Sequence, residues 1–149
     1  MTTIDWSALR SAKKLRQDRL ESARERAQTR IVQAISEASD AITGQVPTAE
    51  QLSWAIKESA ARAVLTGQAS IEDRTILTAE AAITGQHPED LARAILANAD
   101  AWRLMVARFA GLRRKVLADI AQATDPAEVE AMADKALADL AALVRQGAA

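Results

Sequence analysis

An aliphatic residue followed by Thr-Gly-Gln occurs three times in this chain, from Ile42 to Gln45, from Leu65 to Gln68 and from Ile83 to Gln86. In each copy an apolar periodic segment runs into the phrase, which puts Gly44, Gly67 and Gly85 where a helix commonly ends. Glycine takes the left-handed conformation just past a helix C-terminus without a Cβ clash. Helix-start chemistry follows every stop. After Gly44, "PTAEQ" offers Thr48 as N-cap with Gln51 three residues on, and after Gly67 Ser70 and Asp73 stand in the same capping-box relation. After Gly85, "HPED" sets Pro88 at the first helical position and Glu89 and Asp90 on the positive end of the helix dipole. A further break, "TDPAEVE", supplies Asp125 as cap, Pro126 at the first position and Glu128 beyond it. The punctuation predicts helices over about 5–43, 48–66, 71–84, 88–123 and 126–145.

A glycine turn ahead of a helix N-terminus can also bind phosphate through its free N–H groups. That cradle needs a preceding strand, a run of loop residues and a Gly-Lys-Ser/Thr ending, and none of these accompanies the three glycines. The repeated phrase reads as a stop signal.

Composition agrees with an all-α fold. Alanine, leucine, glutamate and arginine dominate, whereas the β-branched and aromatic runs of strands are scarce. With no tyrosine, one Phe and three Trp, the core must be built from Leu, Ile, Val and Ala. The net charge of −1 gives no overall pull towards nucleic acid or anionic lipid, and the absence of cysteine excludes disulfides and thiolate chemistry. No uncharged apolar run reaches the roughly 18 residues of a membrane span, and "MTTIDWSALRSAKK" lacks the apolar stretch of a signal peptide. A soluble chain made in the cytoplasm is expected, with no membrane partner.

The helical faces indicate what packs. In the second helix Leu52, Ala55, Ile56, Ala60, Ala63 and Val64 recur near the 3.6 period, with Lys57 and Glu58 turned away. The fourth carries a long stripe from Leu91 and Ile95 through Trp102, Met105 and Phe109 to Val116 and Ile120, and the fifth carries Val129, Met132, Ala136, Leu137, Leu140 and Val144. Short connections favour antiparallel neighbours, so a small helical bundle is expected over 44–149, with Trp54 and Trp102 as packing anchors and Trp6 in the same role.

The first helix, 1–43, reads as a separate element. About 39 helical residues reach roughly 58 Å, against about 38 Å across a compact domain of this length. Part of it must overhang. Between Asp5 and Arg30 stand eight basic residues against four acidic, and between Leu117 and Ala149 two basic against six acidic. A thin seam that includes Leu9, Ala12, Leu20, Ala23 and Ala27 leads into the apolar face of Ile31, Val32, Ile35, Ala38 and Ile42. The expectation is that Leu20, Ala23, Ala27, Ile31, Ile35 and Ala38 contact copies of the chain or partner proteins, with the helix able to extend as a coiled coil.

Chemistry is hard to find. His87 is the single histidine, and no cysteine or second histidine completes a common metal or catalytic site. Glu89/Asp90 and Glu128/Glu130 lie in first helical turns, where carboxylates are favoured without any function, and Arg113, Arg114 and Lys115 form a short solvent-facing triplet. No catalytic residue, cofactor or metal is expected.

The segments "AEQLSWAIKESAARA" and "ILTAEAAITGQHPEDLARAILANADAWRLMVARFAGLRRKVLADIAQATDPAEVEAM" together resemble a helical module of tail-fibre and tail-assembly proteins of tailed bacteriophages and prophages. The positions that carry the likeness are Glu50 and Trp54, Gly85, Leu91, Ile95 and Trp102, then Gly111 and Arg113, then Ile120, Ala123 and Thr124, over about residues 46–132. Such modules often follow a longer β-rich or variable part; here the basic helix precedes instead. The resemblance implies a non-enzymatic virion structural protein at the tail tip or fibre base. It is made in the host cytoplasm, built into the tail, and associates with copies of itself and other tail proteins; a trimer is favoured by analogy. A close variant is a fibre-assembly chaperone absent from the mature particle. The alternative from another class is a small helical DNA-binding protein, such as a packaging or regulatory factor, using 48–66 and 71–84, joined by "TGQAS", as a helix-turn-helix, with the basic first helix lying along phosphates. Against it, "IEDRTILTAEAAIT" sets a single Arg74 against Glu72, Asp73 and Glu80, too few donors to read a groove, so nucleic acid is not an expected partner.

Overall fold

The computed structural model describes residues 6–44 and 46–147, with side chains from Ser11 onward. Leu9 and the Trp6 side chain, singled out above, lie outside the described residues. The described residues form five helices and no strand: α1 (Trp6–Thr43), α2 (Thr48–Leu65), α3 (Ile71–Thr84), α4 (Pro88–Gln122) and α5 (Pro126–Gly147). The all-α reading holds.

The Thr-Gly-Gln phrases end helices as expected, with Gly44, Gly67 and Gly85 at φ 70°, 73° and 72°. At the second copy, the Gln68 N–H donates to Ala63 O at 2.9 Å and the Gly67 N–H to Val64 O at 3.2 Å, the paired bonds of a Schellman motif. At the third, the Gln86 N–H reaches Ala81 O at 3.1 Å. The threonine of the phrase also turns back: Thr66 Oγ1 donates to Arg62 O, and Thr84 Oγ1 to Glu80 O. In the second and third copies each word therefore has a job, with threonine at the end of the turn, glycine left-handed and glutamine closing the loop.

Three of the starts follow the sequence. The Asp73 N–H donates to Ser70 Oγ while the Ser70 N–H donates to Asp73 Oδ2, a complete capping box. Pro88 opens α4, and His87 precedes it as a cap, its Nδ1 accepting from the Glu89 N–H at 3.4 Å and its carbonyl from Asp90 and Leu91. At α5, Asp125 Oδ1 accepts from the Ala127 N–H. The start of α2 differs. Thr48 is its first helical residue rather than its cap, because the Pro47 carbonyl accepts the Glu50 and Gln51 N–H groups, and Gln51 Nε2 donates to Val46 O.

The chain divides into two units, 1–42 with 107–149, and 43–106. The first helix is therefore not a domain by itself. In the first unit, Ala23, Ala27 and Ile31 of α1 are buried in one cluster with Val116, Ile120 and Ala123 from the end of α4 and its turn, and Val129, Ala133 and Ala136 of α5. Alanines at these places let three helix backbones approach closely. In the second unit, Ala60 and Ala61 of α2, Leu77 and Ala81 of α3, and Leu91 and Ala92 of α4 form a separate core, flanked by Val64, Ile95 and Leu96.

Candidate interaction surfaces

In the first unit the ion pairs fix how α1 lies. Arg26 meets Glu130 at 3.3 Å, Arg30 meets Glu130 at 2.9 Å and Asp134 at 2.6 Å. Two of these pairs share a sequence separation of 104, so α1 and α5 run parallel in register, with Pro126 level with Ser22. Arg24 Nη2 donates to Ala121 O and Ala123 O, closing the carbonyl end of α4 with a cation. The opposed charges of the first and last helices thus meet inside one molecule. Asp134 and Glu130 hold the Arg30 guanidinium above its ordinary pKa, chiefly through the hydrogen bond to Asp134.

This geometry corrects the reading of the α1 seam. Ala23, Ala27 and Ile31 are 0%, 0% and 2% exposed, and Leu20 and Ile35 pack half-buried against the same cluster. Ala38 is half-buried too. With α4 and α5 in place, the edge of α1 from Leu20 through Ala23, Ala27 and Ile31 to Ile35 is covered by its own chain, so a coiled coil cannot form on it unless this packing opens. Val32 and Ile42 of the expected face, by contrast, are exposed at 42% and 41%. The overhang survives in part. At 1.5 Å per residue the 38 residues of α1 span about 57 Å and the 22 of α5 about 33 Å, so the stretch ahead of Leu20 outreaches its neighbour. Residues 11–19 are all exposed.

In the second unit α2 is rotated from the expected face. Lys57 bridges to Glu80 at 2.7 Å, and Glu58 accepts from Arg62 and Arg103. Both side chains lie half-buried, with Trp54, Ala61 and Val64 on the same stripe. The hydrogen bond from Arg103, then that from Arg62, lowers the Glu58 pKa. The Ala60–Ala61 pair permits close contact with Leu77, and the two ion pairs hold this stripe inward, so Leu52 and Ile56 face solvent at 75% and 58% exposure. Trp54 and Trp102 are half-buried and stand outside the buried cluster; the anchoring role passes to Leu77, with alanines around it.

The outward side of α3 carries two exposed charges, Glu72 and Arg74, both in its first turn. Ile71 and Ile83 are 82% and 89% exposed, and the exposed residues between them beyond Arg74 are Thr75, Thr78, Ala79 and Ala82. Glu80 is drawn away to Lys57 and Asp73 to the cap of its own helix. Seven large aliphatics are exposed in this unit, at Leu52, Ile56, Leu65, Ile71, Ile83, Leu104 and Val106, which is more than scattered surface residues need.

Among the described residues no group of three His, Cys, Asp or Glu side chains is arranged to hold a metal, and no helix is long and apolar enough to cross a membrane. His87 is exposed and committed to the α4 cap. Glu89 and Asp90 pair with Arg93, and Lys115 with Asp119. Sequence reasoning missed the α3 face because its two large apolar residues, Ile71 and Ile83, stand twelve positions apart with small or polar residues filling the face between them. The uncharged run from Thr75 to Ala79 was the available signal. Compared with known proteins, the chain matches no family model, no curated protein and no solved structure.

Proposed function

We propose that this chain is a non-enzymatic structural or assembly protein of a phage tail, acting by helix–helix association at the tail tip or fibre base. The resemblance over residues 46–132 supplies the setting. The contact face assigned here is the outward side of α3, with the exposed α2 pair Leu52 and Ile56, instead of the α1 seam. One observation carries it: Ile71 and Ile83, the two large aliphatics near the ends of α3, point to solvent with no exposed charged residue between Arg74 and Ile83. A second copy of the chain is the first occupant, since the exposed charges of α3, Glu72 and Arg74, are of opposite sign and leave no net charge to repel its own image; other tail proteins follow in the assembled particle. Three copies are favoured by analogy with the organisation of tail ends.

Sedimentation of the purified chain at about 50 µM, a concentration suited to weak self-association, tests this reading. Oligomers that the double variant Ile71→Glu/Ile83→Glu dissolves, with helicity intact, support it. A strict monomer that is also missing from purified particles rules it out. Mass spectrometry of those particles distinguishes the virion component from a chaperone left behind after assembly.

A further inference from the structure

Residues 11–19 of α1 are exposed without a break, and they contain Lys13, Lys14, Arg16 and Arg19 against the single acid Asp18. None of these four cations forms an ion pair among the described residues, whereas Arg24, Arg26 and Arg30 further along the helix are all engaged. This helical limb thus carries four cations without an acidic partner among the described residues.

How the charge is distributed narrows the partner. At about 100° per residue the four cations are spread round the helix, leaving no arc wider than about 140° without one. A membrane surface selects one basic and one apolar face, and within residues 11–19 Leu15 is the only large apolar side chain. A flat acidic protein surface meets one side of a helix and leaves the rest of the charge unused. A groove walled by phosphates on both sides meets all of it, and the major groove of B-form DNA, about 12 Å wide, admits one α-helix. Gln17, the side-chain amide of this segment, donates to Glu21, which leaves the cations as the groups that meet phosphate. From this we infer that the free limb of α1 enters the major groove of duplex DNA and binds its phosphates without reading sequence. The site is independent of the α3 face and stands or falls apart from it.

Fluorescence anisotropy of the full chain with a labelled duplex of about 30 base pairs measures the salt slope that such binding requires. Four phosphate contacts predict a slope of roughly −3.6 in log affinity against log salt, a loss on the order of 100-fold between about 50 and 200 mM. The variant K13A/K14A/R16A/R19A, altered only at exposed positions, loses the binding while keeping its melting temperature, and Asp18→Asn tightens it. Duplex RNA, whose major groove is too narrow for a helix, binds more weakly. No binding at about 20 mM salt, where phosphate attraction is strongest, overturns the inference, as does binding that the quadruple variant retains. Equal affinity for duplex RNA overturns the groove placement, and stronger capture by poly-glutamate or phosphatidylserine vesicles reassigns the limb to an acidic protein or a membrane.

Discussion

Both units are made of alanine-rich helices, yet they differ in how far their larger aliphatic side chains reach solvent. In the unit formed by 1–42 and 107–149, Ile31, Val116, Ile120, Val129 and Leu140 are all 7% exposed or less. The most exposed there among the described residues are Leu15, Val32 and Ile42, at 52%, 42% and 41%. In the unit 43–106 the shared core is mostly alanine around Leu77 and Leu91, while Leu52, Ile71 and Ile83 are each at least 75% exposed. Burial of a leucine or isoleucine contributes about 1.5–3 kcal/mol, and alanine much less. The first arrangement gives stability; the second leaves apolar area for something outside the unit. Charge follows the same division, with basic α1 closed onto acidic α5 in one unit, and in the other an α3 whose Glu80 and Asp73 are drawn to internal partners, leaving Glu72 and Arg74 as its exposed charges.

The sharpest way to break this contrast is the same substitution in each unit. Ile31→Glu buries an unpaired carboxylate and is expected to cost more than about 4 kcal/mol, enough to unfold the unit, while Ile83→Glu changes stability by less than about 0.5 kcal/mol. Chemical denaturation with circular dichroism compares them directly. Equal effects would mean that the two isoleucines do not differ in environment.

Next in size is Leu77→Ala, which removes the largest fully buried side chain of the second core and is expected to cost about 3 kcal/mol. Amide exchange should rise across α2 and α3 and remain unchanged in α5. Protection lost equally from both units would show that they unfold as one.

Gly85→Ala isolates backbone strain, since nothing lies within 4 Å of the added Cβ at φ +72°. A loss of about 1 kcal/mol, and a similar loss at Gly67, is expected from the left-handed conformation alone. The smallest effect concerns acid. Arg103 and Arg62 hold the Glu58 carboxyl below its ordinary value, so its contribution is complete above that value and disappears as the pH falls through the folded one. The melting temperature of the Glu58→Gln variant should therefore fall less than that of the parent chain between about pH 5 and pH 3.

Helix boundaries were legible almost to the residue because Gly44, Gly67, Gly85, Ser70, Pro88 and Asp125 act through local backbone chemistry, which needs no tertiary context. Faces were legible only where one period dominated. The α5 stripe of Val129, Ala136 and Leu140 packs as expected, whereas α2 turned, because Lys57 and Glu58 found partners on other helices that no local pattern could reveal. The α1 seam was seen correctly as apolar but given to the wrong neighbour. Length and charge said that α1 seeks company; they could not say that α5, almost a hundred residues later, supplies it through Glu130 and Asp134.

A chain without cysteine allows the division to be tested by single thiols, in Ile31→Cys and Ile83→Cys, followed by their native-state reaction with a chromogenic disulfide reagent. The thiol at position 31 should react only as fast as the unit unfolds, in dilute and concentrated protein alike. The thiol at position 83 should react at the rate of a free peptide in dilute protein and become protected at about 50 µM, where association sets in. Rapid reaction at 31, or a thiol at 83 that stays equally reactive at every concentration, contradicts the account.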